Sequence, residues 1–264
     1  MPSVTFHIGL HKTGTTFLQR NVFPVMEGLH TYMHYNPLWE LFNASKGRNT
    51  AVSCERLSGS PFSGSWANQG ATYVKNIGRM FPEAKCIIGF RKHDALVRSL
   101  YKQYLHEGSA ASPDELFHSD GSGKIGPEDL RFRRRVEQCD QHFADVFVYT
   151  QEELRDNLGG FLNDLSQFLG IPPLTANEIN QTKRNVGVRT QEQVQLLRTL
   201  NRVNRGLKKS HLCPPSTTVC FAASTSRHVL CASIALQITE IPHSPYPKRR
   251  NHFSAPSMLM IGRM

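Results

Sequence analysis

A short β-rich run, Val4-Thr-Phe-His-Ile-Gly9, breaks into the polar loop Leu10-His-Lys-Thr-Gly-Thr-Thr16 and resumes as a helical pattern over residues 17–28. A glycine-containing loop between a first strand and a first helix strongly constrains the fold. It aims backbone N–H groups at one point, beside the positive end of the helix dipole, and so makes an anion site. Lys12 adds a full positive charge there, and Thr13, Thr15 and Thr16 add hydroxyl donors. His11, next to Lys12, reads as a residue that shapes the loop. Pro24 falls late in the helical pattern and is expected to bend or shorten it.

The rest of the chain repeats the strand–helix alternation. Strands are expected over 50–53, 85–90 (Lys-Cys-Ile-Ile-Gly-Phe) and 145–149, and helices over 68–81, 94–106, 127–142, 151–157, 159–169 and 190–205. The apolar run at 85–90 is that of a strand buried on both faces. Residues 107–128, rich in Gly, Ser, Pro and Asp, read as a long excursion or lid. This alternation predicts an α/β, three-layer, P-loop-like fold with a central parallel sheet flanked by helices.

The loop differs from the Walker A pattern G-x-x-x-x-G-K-[ST]. The Gly9 to Gly14 spacing fits, but Thr15 follows Gly14 where the lysine should stand, and Lys12 lies two residues before it. His-Lys-Thr-Gly-Thr-Thr-Phe-Leu-Gln instead resembles the 5′-phosphosulfate loop of the sulfotransferase superfamily, whose donor is 3′-phosphoadenosine 5′-phosphosulfate. The resemblance spans residues 3–207 and is nearer the carbohydrate-type and bacterial branch than the cytosolic steroid/phenol branch. It implies that His11, Lys12, Thr13, Gly14, Thr15 and Thr16 hold the donor's phosphosulfate. It also implies a second motif, a strand ending in Arg with Ser eight residues on, to hold the 3′-phosphate. Arg91 closes the strand at 85–90, and Ser99 follows in the next helix. An arginine fork at a strand's carboxyl end and a helical serine can converge on one phosphate.

A third match, Ser53-Cys-Glu-Arg-Leu57, resembles a segment whose Glu is the catalytic base, so Glu55 joins Lys12 as a catalytic candidate. A plain ion pair of Glu55 with Arg56 is the other reading. The steroid/phenol branch uses a His, and His11, His30 and His34 lie nearby in sequence without a motif that singles one out. Lys183, Arg184 and Asn185 resemble a late basic loop over the nucleotide, against the alternative of a solvated charge cluster. The activity implied is sulfuryl transfer to a hydroxyl or amine of a small-molecule or carbohydrate acceptor. No metal is expected, since no His or Cys spacing suggests one. A P-loop nucleotide-dependent kinase is the alternative, opposed by the absent post-glycine lysine and the lack of a clear Walker B Asp. A catalytically impaired or non-catalytic anion-binding member of the fold is another.

Charge enters with the C-terminal region. The chain of 264 residues carries a formal net charge of +10, which points to an anionic partner. Residues 206–264, however, hold seven basic residues against Glu240 alone, so most of the excess lies there. Six of the 15 Pro and three of the six Cys also fall in it. We expect a sulfotransferase-like domain over 1–207 and a basic, Pro- and Cys-containing tail over 208–264. The tail reads either as a disordered extension or as divergent sequence never selected to pack, such as a shifted frame or alternative splicing would give. No nucleic-acid-binding motif accompanies the charge. The N-terminus lacks a secretory pattern, no apolar run is long enough to span a membrane, and the cysteines lack CxxC spacing. These features lead us to expect a cytoplasmic protein with reduced thiols.

Overall fold

The computed structural model describes residues 3–33, 48–179 and 190–210. Five strands form one all-parallel sheet: β1 (Val4–His7), β2 (Leu29–Met33), β3 (Asn49–Ser53), β4 (Lys85–Phe90) and β5 (Asp145–Thr150), in the order β2-β3-β1-β4-β5. The three-layer α/β expectation holds. The β4 limits match those read from its apolar run.

Alternation along the strands separates two cores. Phe6 pairs with Val52 on one side and Cys86 on the other, and this row, with Ile8, Ile88 and Phe90, packs under α2 (Trp66–Met80), α3 (His93–His106) and α5 (Phe132–His142). Ile87 and Tyr149 face the opposite way, toward Leu18, Val22, Phe23 and the buried side of α7 (Leu158–Leu169). A central strand buried on both faces is what a parallel sheet covered by two helical layers requires.

The first helix departs from its pattern. Only α1 (Thr15–Phe17) is α-helical, and the chain widens to a π-turn over Leu18–Val22 and tightens to a 3₁₀ turn over Phe23–Val25. Pro24 accounts for the change, because its ring has no N–H and collides with the carbonyl four residues back. β2 was not anticipated. Leu-His-Thr-Tyr-Met shows no apolar alternation, and as an edge strand it is only partly buried.

The 107–128 excursion is anchored. Leu116, in the short α4 (Pro113–Leu116), and Ile125 are fully buried in the first core, and Phe117 and Ile125 form a β-bridge. The helix expected from residue 127 starts as a 3₁₀ turn over Pro127–Leu130 before α5. After β5, α6 (Gln151–Asp156) opens with a Thr150–Glu153 capping box. The last described helix, α8 (Gln191–Ser210), is tied to the end of α3 by Asn201, which donates to the carbonyls of Leu105 (2.8 Å) and Ser109 (2.7 Å). No helix among the described residues is long and apolar enough to cross a membrane.

Candidate active site

From β1 the chain crosses toward one edge of the sheet, whereas from β3 and β4 it moves toward the other. Loops leaving the carboxyl ends of these strands therefore diverge at β1, the switch point where ligands of open α/β sheets bind. The three loops carry Lys12 (after β1), Glu55 (after β3) and Arg91 (after β4).

The loop after β1 is built around two left-handed residues, Lys12 (φ 67°) and Gly14 (φ 96°). A left-handed non-glycine residue is uncommon and marks a conformation held by its surroundings. Here the Lys12 carbonyl accepts a 3.4 Å hydrogen bond from Arg91 Nη1, tying the β1 and β4 loops together. At Gly14 a Cβ would lie 2.6 Å from Leu154 Cδ2. The Gly14 carbonyl then accepts from the N–H groups of Phe17 (2.9 Å) and Leu18 (3.1 Å), starting the helix. Thr13 is buried and its hydroxyl donates to the Leu10 carbonyl at 2.6 Å, closing the turn. Lys12 and Thr16 are exposed at the mouth, and Thr15 is buried.

Under the loop lies a polar chain without a motif in the sequence. Gln19 Nε2 donates to Ser53 Oγ (3.0 Å) and the Ser53 carbonyl (3.3 Å). Ser53 Oγ is 2.7 Å from His7 Nδ1, and His7 Nε2 is 3.3 Å from the Tyr149 hydroxyl. Neutral His7 thus joins Ser53 and Tyr149 through its two ring nitrogens, one donating and the other accepting. Gly89 makes this reach feasible, because a Cβ there would sit 2.3 Å from Tyr149 Cζ. Burial pushes the Tyr149 hydroxyl upward, with the Thr13 hydroxyl opposing.

Burial pushes His7 down to about 3. The folded protein thus keeps His7 neutral, while the unfolded chain takes up a proton near the ordinary value of 6.5. Its contribution to stability is complete above that value and is lost as pH falls toward 3, by up to ~1.4 kcal/mol per pH unit. We expect melting temperature to drop steadily between pH 6.5 and 4. His7→Gln should flatten that part of a thermal-melt series, and an unchanged slope would exclude His7 as the cause.

Arg91 is half-buried. Burial lowers its guanidinium's affinity for its proton, and the Glu152 carboxylate opposes that shift. Ser99 sits on α3 and is partly buried. At the site the buried Arg91 Nε lacks a protein partner, and the buried Thr15 Oγ1 lies against the Tyr149 hydroxyl. An unsatisfied buried donor costs about 1–3 kcal/mol. Both atoms flank the Lys12 loop, and an anion with several acceptor oxygens is a ligand these groups fit. Among the described residues no cluster of three His, Cys, Asp or Glu side chains forms a metal site.

Glu55 begins a 3₁₀ turn (Glu55–Ser58) and is partly exposed, with one carboxylate oxygen 3.7 Å from His11 Nδ1. The turn is braced from behind. Arg135 donates from Nη1 to the Ser58 carbonyl (3.1 Å) and from Nε to the Asp129 carbonyl (3.3 Å), and its guanidinium lies 4.7 Å over the Trp66 ring. Asp129 in turn accepts from the Ala67 N–H at 2.7 Å. Burial lowers Arg135 to about 10, with Asp129 opposing, so it stays charged at neutral pH.

Beyond this turn Phe62 stacks on Tyr104, ring centroids 4.9 Å apart. Tyr104 borders a groove of about 730 Å³ lined also by Asp114, Glu115, His118, Lys124 and Arg202. Arg202 on α8 and the pairing of the excursion with α8 had no sequence signal. Lys183, Arg184, Asn185 and His34 lie outside the described residues, as does the tail beyond residue 210.

No family model matches the chain, and no curated protein matches it in sequence. Among solved structures it resembles the sulfotransferase from Alicyclobacillus acidocaldarius, with a TM-score of 0.50 and 13% identity over 80% of this chain and 95% of that one. It also aligns with mouse sulfotransferase SULT7A1 complexed with PAP, with a TM-score of 0.43 and 12% identity over 88% of this chain and 89% of that one. The bacterial match shows that the chain has a sulfotransferase fold.

Proposed function

We propose that this protein is a sulfotransferase that moves a sulfuryl group from 3′-phosphoadenosine 5′-phosphosulfate to a hydroxyl or amine of a small polar acceptor, with carbohydrates in that class. The observation that carries this reading is the convergence of Lys12, Glu55 and Arg91 from three adjacent strands at the switch point of a sulfotransferase fold. The groove beside Tyr104 supports a polar acceptor, because carboxylates and cations share its lining.

The donor supplies an activated sulfuryl group on a phosphate leaving group. Lys12, with the loop amides and the hydroxyls of Thr15 and Thr16, stabilises negative charge that grows on the leaving oxygen. Arg91 and Ser99 hold the 3′-phosphate, and His11, Thr13 and Gly14 shape the loop around the phosphosulfate. Lys183, Arg184 and Asn185 are assigned by the sequence resemblance to close over the nucleotide. Glu55 takes the acceptor's proton as its oxygen or nitrogen attacks. The buried cysteines Cys54, Cys86 and Cys139 form no disulfide, which suits a reducing, cytoplasmic setting.

Thermal shift with adenosine 3′,5′-bisphosphate against ATP–Mg²⁺ tests the reading. At 100 times its dissociation constant the bisphosphate should add ~2.7 kcal/mol, a rise of about 5–10 °C for a domain of this size. A larger shift from ATP–Mg²⁺ would instead indicate the kinase chemistry that the loop's lysine position argues against. Arg91→Ala should raise the donor KM by roughly 10- to 100-fold and leave kcat within a few-fold, since its bonds to the 3′-phosphate are alike in ground and transition states. Steady-state kinetics over donor concentration read this split, and an unchanged donor KM removes Arg91 from the donor site.

A further inference from the structure

His11 is held in one orientation, and that orientation aims it at Glu55. Its ring is buried, packs edge-on to Trp66 with centroids 6.3 Å apart, and places Nε2 3.2 Å from the Gly59 carbonyl. A carbonyl only accepts, so Nε2 carries the hydrogen and Nδ1 presents a lone pair. Gly59 cannot yield. Its φ is 90°, and a Cβ there would lie 2.4 Å from the Trp66 carbonyl oxygen. Trp66 is itself covered by Arg135. The Nδ1 lone pair thus faces the Glu55 carboxylate oxygen at 3.7 Å.

Two acceptors pointed at each other have no hydrogen between them, which is an unfavourable arrangement unless a proton arrives. The acceptor substrate brings one. We propose that Glu55 and His11 work as a single proton-sharing base, in which Glu55 touches the acceptor and His11 is the positioning residue that stabilises Glu55 once it is protonated. This inference rests on the sulfuryl-transfer reading above and names how its proton is handled. As the acceptor oxygen forms its bond to sulfur, the O–H bond breaks and the proton passes to Glu55. The bond from sulfur to the bridging oxygen breaks, and its electron pair stays on the departing phosphate. The new Glu55 O–H then donates to His11 Nδ1, an interaction absent before transfer and therefore of the kind that raises kcat.

The charged groups facing His11 agree with this role. Burial lowers its proton affinity, so the ring is neutral and its lone pair free at neutral pH. Glu55 opposes that shift most, Glu107 at the end of α3 opposes it more weakly, and Lys12 reinforces it. Arg135 faces the same Trp66 ring from α5. In acid, a protonated His11 would donate from Nδ1 to the Glu55 carboxylate and tie up the base.

Two measurements on the full chain test the pairing. In the pH profile of kcat, His11→Gln should lower the plateau by roughly 10- to 100-fold and move the acid limb to lower pH. A merely structural His11 would leave the limb in place, and that result overturns the proposal. By NMR of ¹⁵N-labelled histidine, His11 in the wild-type protein should titrate at Nδ1 and at a higher pH than in Glu55→Gln. Equal midpoints overturn the shared proton even where the His11 variant is poorly folded. If the wild-type protein transfers no sulfuryl group while the two midpoints differ, the assignment of the reaction fails and the pairing stands.

Discussion

Lys12→Ala is expected to reduce kcat by roughly 10³-fold or more, with melting temperature nearly unchanged. Lys12 is exposed at the mouth of the loop, and surface substitutions of this type change stability by about 0.5 kcal/mol or less. Alanine also keeps a Cβ at the left-handed position (φ 67°), so the backbone cost is the same in both proteins. On the proposed mechanism, what is removed is one charge beside the leaving oxygen. Two unit charges 4 Å apart interact by ~4 kcal/mol at the effective dielectric of a protein surface site. Each 1.36 kcal/mol is tenfold in rate. The loop amides and the hydroxyls of Thr15 and Thr16 remain, so residual transfer should persist above background. Single-turnover assays with radiolabelled donor separate this loss from product release. A Lys12→Ala protein turning over normally would sink the assignment of the loop.

The parts of this architecture visible in sequence are those with local periodicity or a fixed loop register. β4 and α3 carry uninterrupted apolar patterns, and their limits agree with the structure to within a residue. The β1 loop is legible because a short loop between a strand and a helix needs glycine and polar donors in a set order. β2 had no such signal. Its partial burial at a sheet edge demands no alternation, and its pairing with β3 is a long-range event. The Gln19–Ser53–His7–Tyr149 chain was hidden for a similar reason. Its members come from four separate elements, and only the parallel register that sets His7 beside Ser53 brings them together. His11 shows the limit most clearly. Its neighbour Lys12 suggested that it shapes the loop, but its partners Gly59 and Glu55 lie beyond β3, more than 40 residues away. Charge was legible in quantity and in place, since most of the excess falls in residues 206–264, whereas the proposed site relies on individual cations.

Glu55→Gln should lower kcat by roughly 10²- to 10⁴-fold, the usual contribution of a positioned base. The substitution is nearly isosteric, and the turn that carries it is held by other bonds. The Ser58 hydroxyl donates to the Glu55 carbonyl at 2.6 Å, and Arg135 grips the Ser58 carbonyl. Both contacts involve backbone at the turn and survive the change. Donor binding should survive as well, because Arg91 and the Lys12 loop meet on the β4 side of β1 while Glu55 approaches from β3. The bisphosphate-induced melting shift of the variant should therefore equal that of the wild-type protein. The loss should shrink for acceptors whose attacking group is already deprotonated at the assay pH, since these need no base. That substrate dependence distinguishes lost proton transfer from misplaced substrate: a misplaced acceptor would be penalised whatever its acidity. If Glu55→Gln instead loses the same factor for every acceptor, Glu55 orients the substrate and the proton leaves by another route.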